Sequence, residues 1–381
     1  MKTHSLMLTA SLAAALLAAC TPATQNDGSI TVTKQNGNEL TLCDFSKVND
    51  TLSIPISQWV EDCRLVRFEN TDTALFKFAW PAITSRYIGI RQHGGAFKLF
   101  DHQGKFLCDV GKIGQGPGEY AGSLYSEAID EQNKCIYLAP FFGSSKILKY
   151  NMDGTFASDI DLEEKLNKPK LGLNADGSLS VTHLCFEGRS RMMAAHIGTD
   201  GSITRYEPAP GQAINPLDKE GRFVGFNNEI WSYGNVEGLT FMTMPTDTLY
   251  TYNYQTNRMD ARFALQNPPA GENVFLIFNE LPGRFLATVW RKGTIDIDLK
   301  KQQSHYVKLV NDFFGGIPAP VNFANGWWFA MYEPLTLMDR IEQRLAQPDC
   351  SEQDKETLNK LLDSLDENDN NVMFIGKLKS K

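Results

Sequence analysis

The sequence FKLFDHQGKFLCDV at positions 97–110 decides the fold, because its pattern recurs in ILKYNMDGTFASDI at positions 147–160. In both stretches an alternating strand leads into a short turn that contains glycine, and a second alternating strand follows. A third copy, AAHIGTDGSITRY at 194–206, keeps the turn. Asp, Asn and Gly tolerate the positive φ of tight hairpin turns. The sequence therefore predicts a series of similar β-hairpins.

The turn glycines of these copies give the period of the repeat. Gly104, Gly154 and Gly201 are separated by 50 and 47 residues, and weaker copies follow at 248–263 and 294–309. A period near fifty residues that holds several short strands is typical of β-propellers. Division of the chain into such units predicts an all-β fold, a six-bladed β-propeller of four-stranded blades.

The last unit is interrupted by two helical patterns. Leu335, Met338, Ile341 and Leu345 recur at helical spacing, and a second apolar stripe follows a capping-type start at Ser351. That second stripe comprises Leu358, Leu361, Leu362 and Leu365. We therefore predict a helical hairpin at 335–366, inserted in the last blade on the same face as the blade-to-blade crossovers. Its apolar stripes need burial, and we expect it to cover part of the channel mouth.

With this insertion the sixth blade lacks one strand. The segment CRLVRFEN at 63–70, near the N-terminus, can supply the missing strand. Closing the ring with a strand from the other end of the chain removes an exposed sheet edge.

The first residues predict export and a lipid anchor. An apolar run from Leu6 to Ala19 is too short to span a bilayer and is typical of a signal peptide. It ends in LAAC at 17–20, so we predict a signal peptide at 1–19 and a lipid on Cys20. A polar tether at 20–37 would then join the lipid to a propeller at 38–381. Thr21 follows the cysteine, which favours an outer-membrane lipoprotein that faces the periplasm or the cell surface.

Composition limits the partners and the cysteine chemistry. Lys and Arg number 37 against 45 Asp and Glu, giving a net charge of −8. An acidic chain without a basic block is a poor candidate for nucleic acid, and we expect the lipid to be the sole membrane contact of a monomer. Cysteines beyond Cys20 predict buried free thiols, although a disulfide that involves Cys43 or Cys350 stays open.

Three sequence features together resemble a known family. They are GQGPGEY at 114–120 after the FDHQGKFL turn at 100–107, the LAAC motif, and the tail ENDNNVMFIGKLK at 367–379. The chain is similar in these features to the six-bladed β-propeller lipoproteins of anaerobic Gram-negative bacteria, distant relatives of NHL-repeat propellers. The resemblance implies the fold and no common activity.

The glycine-rich stretch KIGQGPGEY at 112–120 raises the question of a phosphate site. A phosphate-binding loop needs a helix after it, whose N-terminus faces the anion, and no helical period follows here. The stretch instead lies between the last strand of blade 1 and the first strand of blade 2. We interpret Gly114, Gly116, Pro117 and Gly118 as a structural crossover on the face that we call the top.

The top face carries the candidate binding residues. In a four-stranded blade this face holds the crossovers and the connections between second and third strands, whereas the Asp-x-x-Gly turns lie on the bottom face. The predicted contact residues combine arginine with aromatic and polar side chains, a combination common in binding hot spots. They are Arg91, His93, Glu119, Tyr120, Arg189, Arg291 and Tyr332, with Phe141, Phe142 and Tyr233 in the same predicted loops.

Two classes of function stay open from the sequence. The first is a non-enzymatic binding or scaffold module that contacts a protein or a glycan through its top face, and no cofactor is expected for it. The second is a hydrolase or lyase with a metal in the central channel, where Asn174, Asn227, Asn279 and Asn322 occur at comparable places. The histidines have no metal-ligand spacing and catalytic motifs are missing, so an enzyme is the less favoured class.

Overall fold

The computed structural model describes residues 27–35, 37–77, 79–244, 247–269 and 275–380. Four strands precede the first blade: β1 (Ile30–Gln35), β2 (Asn38–Asp44), β3 (Thr51–Pro55) and β4 (Arg64–Arg67). The predicted signal peptide and Cys20 lie outside the described residues. Strand β1 begins within the segment that we predicted as a tether, so the folded chain starts earlier than expected.

The first three blades are regular four-stranded antiparallel sheets. Blade 1 consists of β5 (Ala79–Ile83), β6 (Tyr87–Gln92), β7 (Phe97–Asp101) and β8 (Phe106–Val110). Blade 2 consists of β9 (Leu124–Asp130), β10 (Cys135–Pro140), β11 (Lys146–Asn151) and β12 (Phe156–Asp161). Blade 3 consists of β13 (Lys170–Leu173), β14 (Leu179–Thr182), β15 (Ala194–Ile197) and β16 (Ile203–Tyr206).

The last three blades also have four strands each, but N-terminal strands extend or complete them. Blade 4 comprises β17 (Ile230–Trp231), β18 (Leu239–Thr243), β19 (Thr248–Asn253) and β20 (Arg258–Gln266). Blade 5 comprises β21 (Leu276–Leu281), β22 (Arg284–Val289), β23 (Gly293–Asp298) and β24 (Gln303–Asn311), with β25 (Ile317–Ala319) beside β24. Blade 6 comprises β26 (Phe323–Ala324), β27 (Trp327–Tyr332), β28 (Val372–Lys377) and β4. The predicted six-bladed propeller is confirmed.

The N-terminal strands run along the outer edges of three successive blades. Strand β2 pairs in parallel with β20 of blade 4, and β3 pairs in parallel with β24 of blade 5. Strand β4 pairs antiparallel with β28, where Val66 is opposite Met373. The prediction that 63–70 closes blade 6 is confirmed, and β2 and β3 cover the outermost blade strands β20 and β24.

The core lies between neighbouring blades, because each sheet buries both of its faces. Between blades 1 and 2, for example, Phe97 and Leu99 pack with Ile136 and Tyr150, and all four side chains are fully buried. Six described cysteines are free thiols, so the bridge left open for Cys43 or Cys350 does not form. Within the described residues, neither helix has the length and apolar character needed to cross a bilayer.

The repeated turns lie on the bottom face, as predicted. Gly104 and Gly154 both have positive φ, and each donates its N–H to the residue three positions earlier. Their carbonyl oxygens accept hydrogen bonds from the preceding blade, at 2.8 Å from Glu69 and 3.0 Å from Gly111. A Cβ at either glycine would overlap a backbone oxygen of that blade. Glycine is therefore required both by the turn and by contact between blades.

The insertion in blade 6 forms the predicted hairpin, α1 (Pro334–Leu345) and α2 (Glu352–Leu362). Ser351 and Asp354 form a capping box at the start of α2. The predicted stripe of α1 is wrong at one position, because the helix begins at Pro334 and turns Leu337 inward, while Leu335 is 54% exposed.

The hairpin packs at the rim of blades 5 and 6. Leu337, Ile341, Leu358 and Leu361 join a cluster that includes Trp59. Arg344 anchors the hairpin by donating from Nε to the carbonyl of Gly315 at 3.0 Å. No described residue of the hairpin lines the channel. The expectation that it covers the channel mouth is wrong, because its apolar face is used at the rim.

Candidate functional site

The first strands of the blades surround a central channel with a cavity of about 700 Å³. Side chains from all six blades line it. Blade 1 contributes β5, which begins at Ala79, to this wall. Pro81 lies inside β5, and proline in an innermost strand is tolerated because one edge of that strand has no ladder partner.

Three charged side chains, Arg91, Glu127 and Lys170, are the charged members of the described channel lining. They come from three neighbouring blades, on β6, β9 and β13. The channel thus holds two cations and one anion. Charged groups enclosed by protein interact more strongly than charges on an open surface, so their pairing determines what the channel can bind.

Arg91 and Glu127 form a close ion pair. The Nε of Arg91 lies 2.6 Å from a carboxylate oxygen of Glu127, and both side chains are largely enclosed. The guanidinium also lies over the ring of Trp80, at 4.9 Å from the ring centroid. Through its terminal nitrogens Arg91 makes no hydrogen bond to any described residue. The Nε side of the guanidinium is therefore held in place, and its terminal nitrogens are available to bind a ligand.

Lys170 is the second cation of the channel, and its ammonium group has no carboxylate or carbonyl partner among the described residues. Its Nζ lies 4.3 Å from the centroid of the Tyr125 ring. Burial, assisted by the positive charges of Arg91 and Lys168 and opposed by Glu127, lowers the pKa of Lys170 to about 7. The channel holds this amine in a place that disfavours its charge.

Lys168, two residues earlier in the chain, has polar partners for its ammonium group. Its Nζ donates to the carbonyls of Phe226 and Asn228, at 3.2 and 2.6 Å, and lies 3.0 Å from a carboxylate oxygen of Glu229. Lys168 belongs to the crossover into blade 3, and its three partners belong to the crossover into blade 4. This lysine joins two crossovers of the top face.

Aromatic rings lie beside these cations. Tyr125 packs on Phe141 with ring centroids 5.3 Å apart, and Phe141 meets Phe142 edge-on at 4.7 Å. Lys168 lies over Phe141 at 5.7 Å. Trp80 is 46% exposed. The top mouth of the channel therefore combines aromatic surface with positive charge.

The glycine-rich crossover is closed by its own residues. Glu119 accepts a hydrogen bond from the N–H of Gly116 at 2.9 Å and pairs with Lys112 at 3.0 Å. These interactions hold the pKa of Glu119 below its usual range. The O–H of Tyr120 donates to Val110 and accepts from the N–H of Phe97, and this side chain is 2% exposed. Tyr120 wedges blades 1 and 2 together, so it is not a surface contact.

The other predicted contact residues are dispersed. His93 bonds to Ser123 at 2.9 Å, and Arg189 lies over Phe223 at 4.5 Å. Arg291 is exposed in the turn after β22 and has a positive φ. Tyr332 is 8% exposed beneath Arg340, so it is part of the core. Of the seven predicted contact residues Arg91 alone lines the channel, and Tyr233 of the accompanying predicted loops lines it as well.

The structure also differs from the sequence analysis in the position of Tyr233 and in the arrangement of the four asparagines. Tyr233 is not on the top face, because it follows β17 and its carbonyl accepts from Asn325 in the first turn of blade 6. The four asparagines do not converge: Asn174 bonds to Ser178 and Ser180, Asn279 bonds to Asn235 and Phe323, and Asn227 and Asn322 are exposed. The described residues contain no cluster of three His, Cys, Asp or Glu able to hold a metal.

Sequence reasoning missed Trp80, Tyr125, Glu127 and Lys170. Each lies in or at the start of a first strand, where the pattern alone does not reveal the inward face. A usable signal was the presence of Glu127 and Lys170 within first strands, next to apolar residues. A charged side chain in such a strand has to face either solvent or a lined cavity.

Comparison with solved structures finds one that supports the architecture. A protein of Bacteroides fragilis described as a "Putative exported protein" aligns with a TM-score of 0.58 and 14% identity, over 86% of this chain and 99% of that one. A duf4221 family member from Bacteroides vulgatus aligns with a TM-score of 0.44 and 8% identity, over 84% and 97%. At such identities the likeness concerns the fold alone.

No curated protein matches the chain. The family model described as "Domain of unknown function (DUF4934)" matches residues 40–273, from β2 to the end of blade 4. These residues include the channel cations Arg91 and Lys170 and the aromatic residues beside them. The chain belongs to the DUF4934 family.

Proposed function

We propose that this propeller is a membrane-anchored, non-enzymatic binding module whose ligand, a glycan, enters the top mouth of the channel. The observation that carries the proposal is the combination at this mouth of open aromatic surface with cations that lack full pairing. Trp80 and Tyr125 offer ring faces, and both line the cavity. Sugar rings present apolar C–H faces and hydroxyls, which suit an aromatic surface beside polar groups.

The lining of the cavity also supports a glycan over a flat protein surface. Elsewhere along the channel it carries small hydroxyl and amide side chains. They include Thr84, Ser85, Ser232, Asn322 and Asn325. A cavity of about 700 Å³ is within the ordinary range for small-ligand sites. A protein partner would instead need a broad, exposed top surface, and Tyr120 and Tyr332 of the predicted surface set are buried.

The membrane anchor is the second part of the proposal, and it rests on the LAAC motif before Cys20. Replacing Cys20 with serine is expected to leave an unprocessed or soluble protein, because acylation requires the thiol. Labelling with a radioactive fatty acid and separation of membranes measure this directly. A Cys20→Ser protein that still carries label and stays with membranes would refute the anchor.

The binding function is tested on an array of neutral and acidic oligosaccharides. Residues 27–380 are compared with Trp80→Ala and with Trp290→Ala, a matched control, since both tryptophans are 46% exposed and Trp290 does not line the channel. We expect the parent protein to retain a set of glycans that Trp80→Ala loses and Trp290→Ala keeps. No retained glycan, or loss in the Trp290 variant instead, would contradict the channel as the binding site.

A hydrolase or lyase with a metal in the central channel remains the alternative class, and the described residues contain no group of three His, Cys, Asp or Glu that could hold the metal. Elemental analysis of the purified protein separates the two functions. Stoichiometric calcium or zinc would favour the enzyme.

A further inference from the structure

The charges of the channel do not balance. Glu127 is the one anion of the described lining, and its carboxylate is engaged by Arg91 at 2.6 Å. Lys170 on the next blade is left with a ring face as its neighbour. A cation enclosed by protein without a counter-charge is unfavourable unless something else pairs with it.

The neighbouring Lys168 shows that the fold can satisfy a lysine in this region. Lys168 uses its ammonium group for two carbonyls and one carboxylate. Lys170 lies two residues further along the same chain and reaches none of these groups. The difference places one lysine in the wall between crossovers and the other in the open cavity.

Arg91 offers the complementary half of an anion site. Its Nε is used by Glu127, which fixes the guanidinium over Trp80. Its terminal nitrogens have no partner among the described residues, and the side chain lines the cavity. A guanidinium held at one end presents planar donors that match the two oxygens of a carboxylate.

We propose that the channel recognises a carboxylate-bearing saccharide, whose carboxylate binds between the ammonium group of Lys170 and the terminal nitrogens of Arg91. This inference rests on the proposed function and narrows its ligand to acidic glycans. Glu127 acts as a positioning residue that orients Arg91, and Tyr125 and Trp80 supply the surface on which sugar rings lie.

Binding of such a ligand is coupled to a proton. Around Lys170 the facing charged groups are Arg91, Lys168 and Glu127, with Tyr125 beneath the ammonium and Glu229 beyond Lys168. A bound carboxylate adds a negative charge and favours the protonated amine. We therefore expect affinity for the acidic ligand to fall as pH rises from 6.5 to 8.5 and proton uptake to accompany binding.

The test uses matched probes, namely uronic-acid oligosaccharides in the carboxylate form and as their methyl esters, which differ in that one charge. Calorimetric titrations compare residues 27–380 with Lys170→Met and with Lys292→Met, an exposed top-face lysine outside the channel. We expect at least tenfold tighter binding of the acid than of the ester, loss of that preference in Lys170→Met, and its retention in Lys292→Met.

Two further measurements distinguish a failure of the carboxylate assignment from a failure of the proposed function. Proton uptake, obtained from titrations in buffers of different ionisation enthalpy, should be present in the parent protein and missing in Lys170→Met. Equal affinity for acid and ester in a protein whose binding depends on Trp80 would overturn the carboxylate assignment and leave the proposed function standing. A preference for sulfated over carboxylated sugars would also overturn it. Binding of neither form of any probe would overturn both proposals.

Discussion

The bottom face of the disc is built from repeated turns, whereas the top face is assembled from unlike pieces. On the bottom, Gly104 and Gly154 close similar turns and dock on the preceding blade through hydrogen bonds of 2.8 and 3.0 Å. On the top, the crossovers differ in sequence, and among the described residues the ammonium group of Lys170 meets the Tyr125 ring but no carboxylate. Repetition satisfies polar groups locally, while the irregular face leaves charges that a ligand can use. The following predictions test this contrast, from the largest expected effect to the smallest.

Truncation through Asn70 should abolish folding, because it removes the support of the first bottom-face turn as well as three outer strands. The truncated chain lacks β4, on which the Gly104 turn docks, and exposes the edges of β20, β24 and β28. We expect residues 71–380 to aggregate, while residues 27–380 stay soluble, as measured by size-exclusion chromatography. A soluble 71–380 fragment with a cooperative melting transition would contradict the closure by β4.

Gly154→Ala should lower the free energy of unfolding by about 3–5 kcal/mol, since the new Cβ overlaps a backbone oxygen of blade 1 in addition to the strain of a positive φ. The matched control is Gly201→Ala, where φ is also positive and no atom lies within 4 Å. There we expect about 1–2 kcal/mol from strain alone. Urea unfolding measures both values. Equal losses would show that the docking of the turn adds nothing.

Ile341→Ala should lower the free energy of unfolding by about 2–4 kcal/mol, because this fully buried side chain packs the hairpin on the rim of blades 5 and 6. Leu335→Ala is the control on the same helix, and at 54% exposure it should change stability little. Urea unfolding of both variants checks this. A negligible effect of Ile341→Ala would mean that the hairpin is only loosely attached to the rim.

Lys168→Met should cost about 2 kcal/mol, because two carbonyls and Glu229 lose their donor. Lys170→Met should cost little at pH 7, since it removes a cation that the folded chain disfavours. Its signature is instead in the pH dependence of the free energy of unfolding.

The pKa of Lys170 is lowered from 10.5 to about 7 on folding, so between these values the unfolded chain holds a proton that the folded chain has released. Its contribution therefore makes stability rise with pH, with the full penalty present below about pH 7. Relative to Lys170→Met, the parent protein should gain up to about 1 kcal/mol per pH unit between pH 7 and 9. Parallel pH profiles of the two proteins would show that Lys170 is not enclosed as described.

The repeat and the closing strand could be predicted because short stretches of sequence carry the signals for both. The Asp-x-x-Gly turns recur at fixed spacing, and Ser351 with Asp354 marks the start of α2. The edge strands β1 to β3 were missed because they lie outside the repeat and pair with each other or, in parallel, with strands distant in sequence. The channel was missed because Arg91, Glu127 and Lys170 come from three blades, and only the closed ring brings them together.

The fold also buries some of the aromatic residues near predicted loops and exposes others, although their surroundings in the sequence are similar. Tyr120 and Tyr332 are aromatic residues next to predicted loops, and both are wedged into the core. Trp80 lies in β5, where Pro81 interrupts the usual strand pattern of the sequence. The Trp80 side chain lines the channel. An aromatic side chain near a loop gains by burial wherever a neighbouring blade offers a partner, and this depends on contacts distant in sequence.

The N-terminal strands also determine when the ring can close during synthesis. Strands β1 to β4 are synthesised before the blades, yet β2 pairs with β20, β3 with β24, and β4 with β28, the most C-terminal of the described strands. Val66 meets Met373 only after about 300 further residues have been made, so closure is a late and highly non-local event. Polar and charged side chains such as Lys34 and Glu39 on β1 and β2 discourage these waiting strands from pairing with other chains. The strands that close blade 6 and cover blades 4 and 5 are therefore made early, and each remains without its blade partner until that blade has been synthesised.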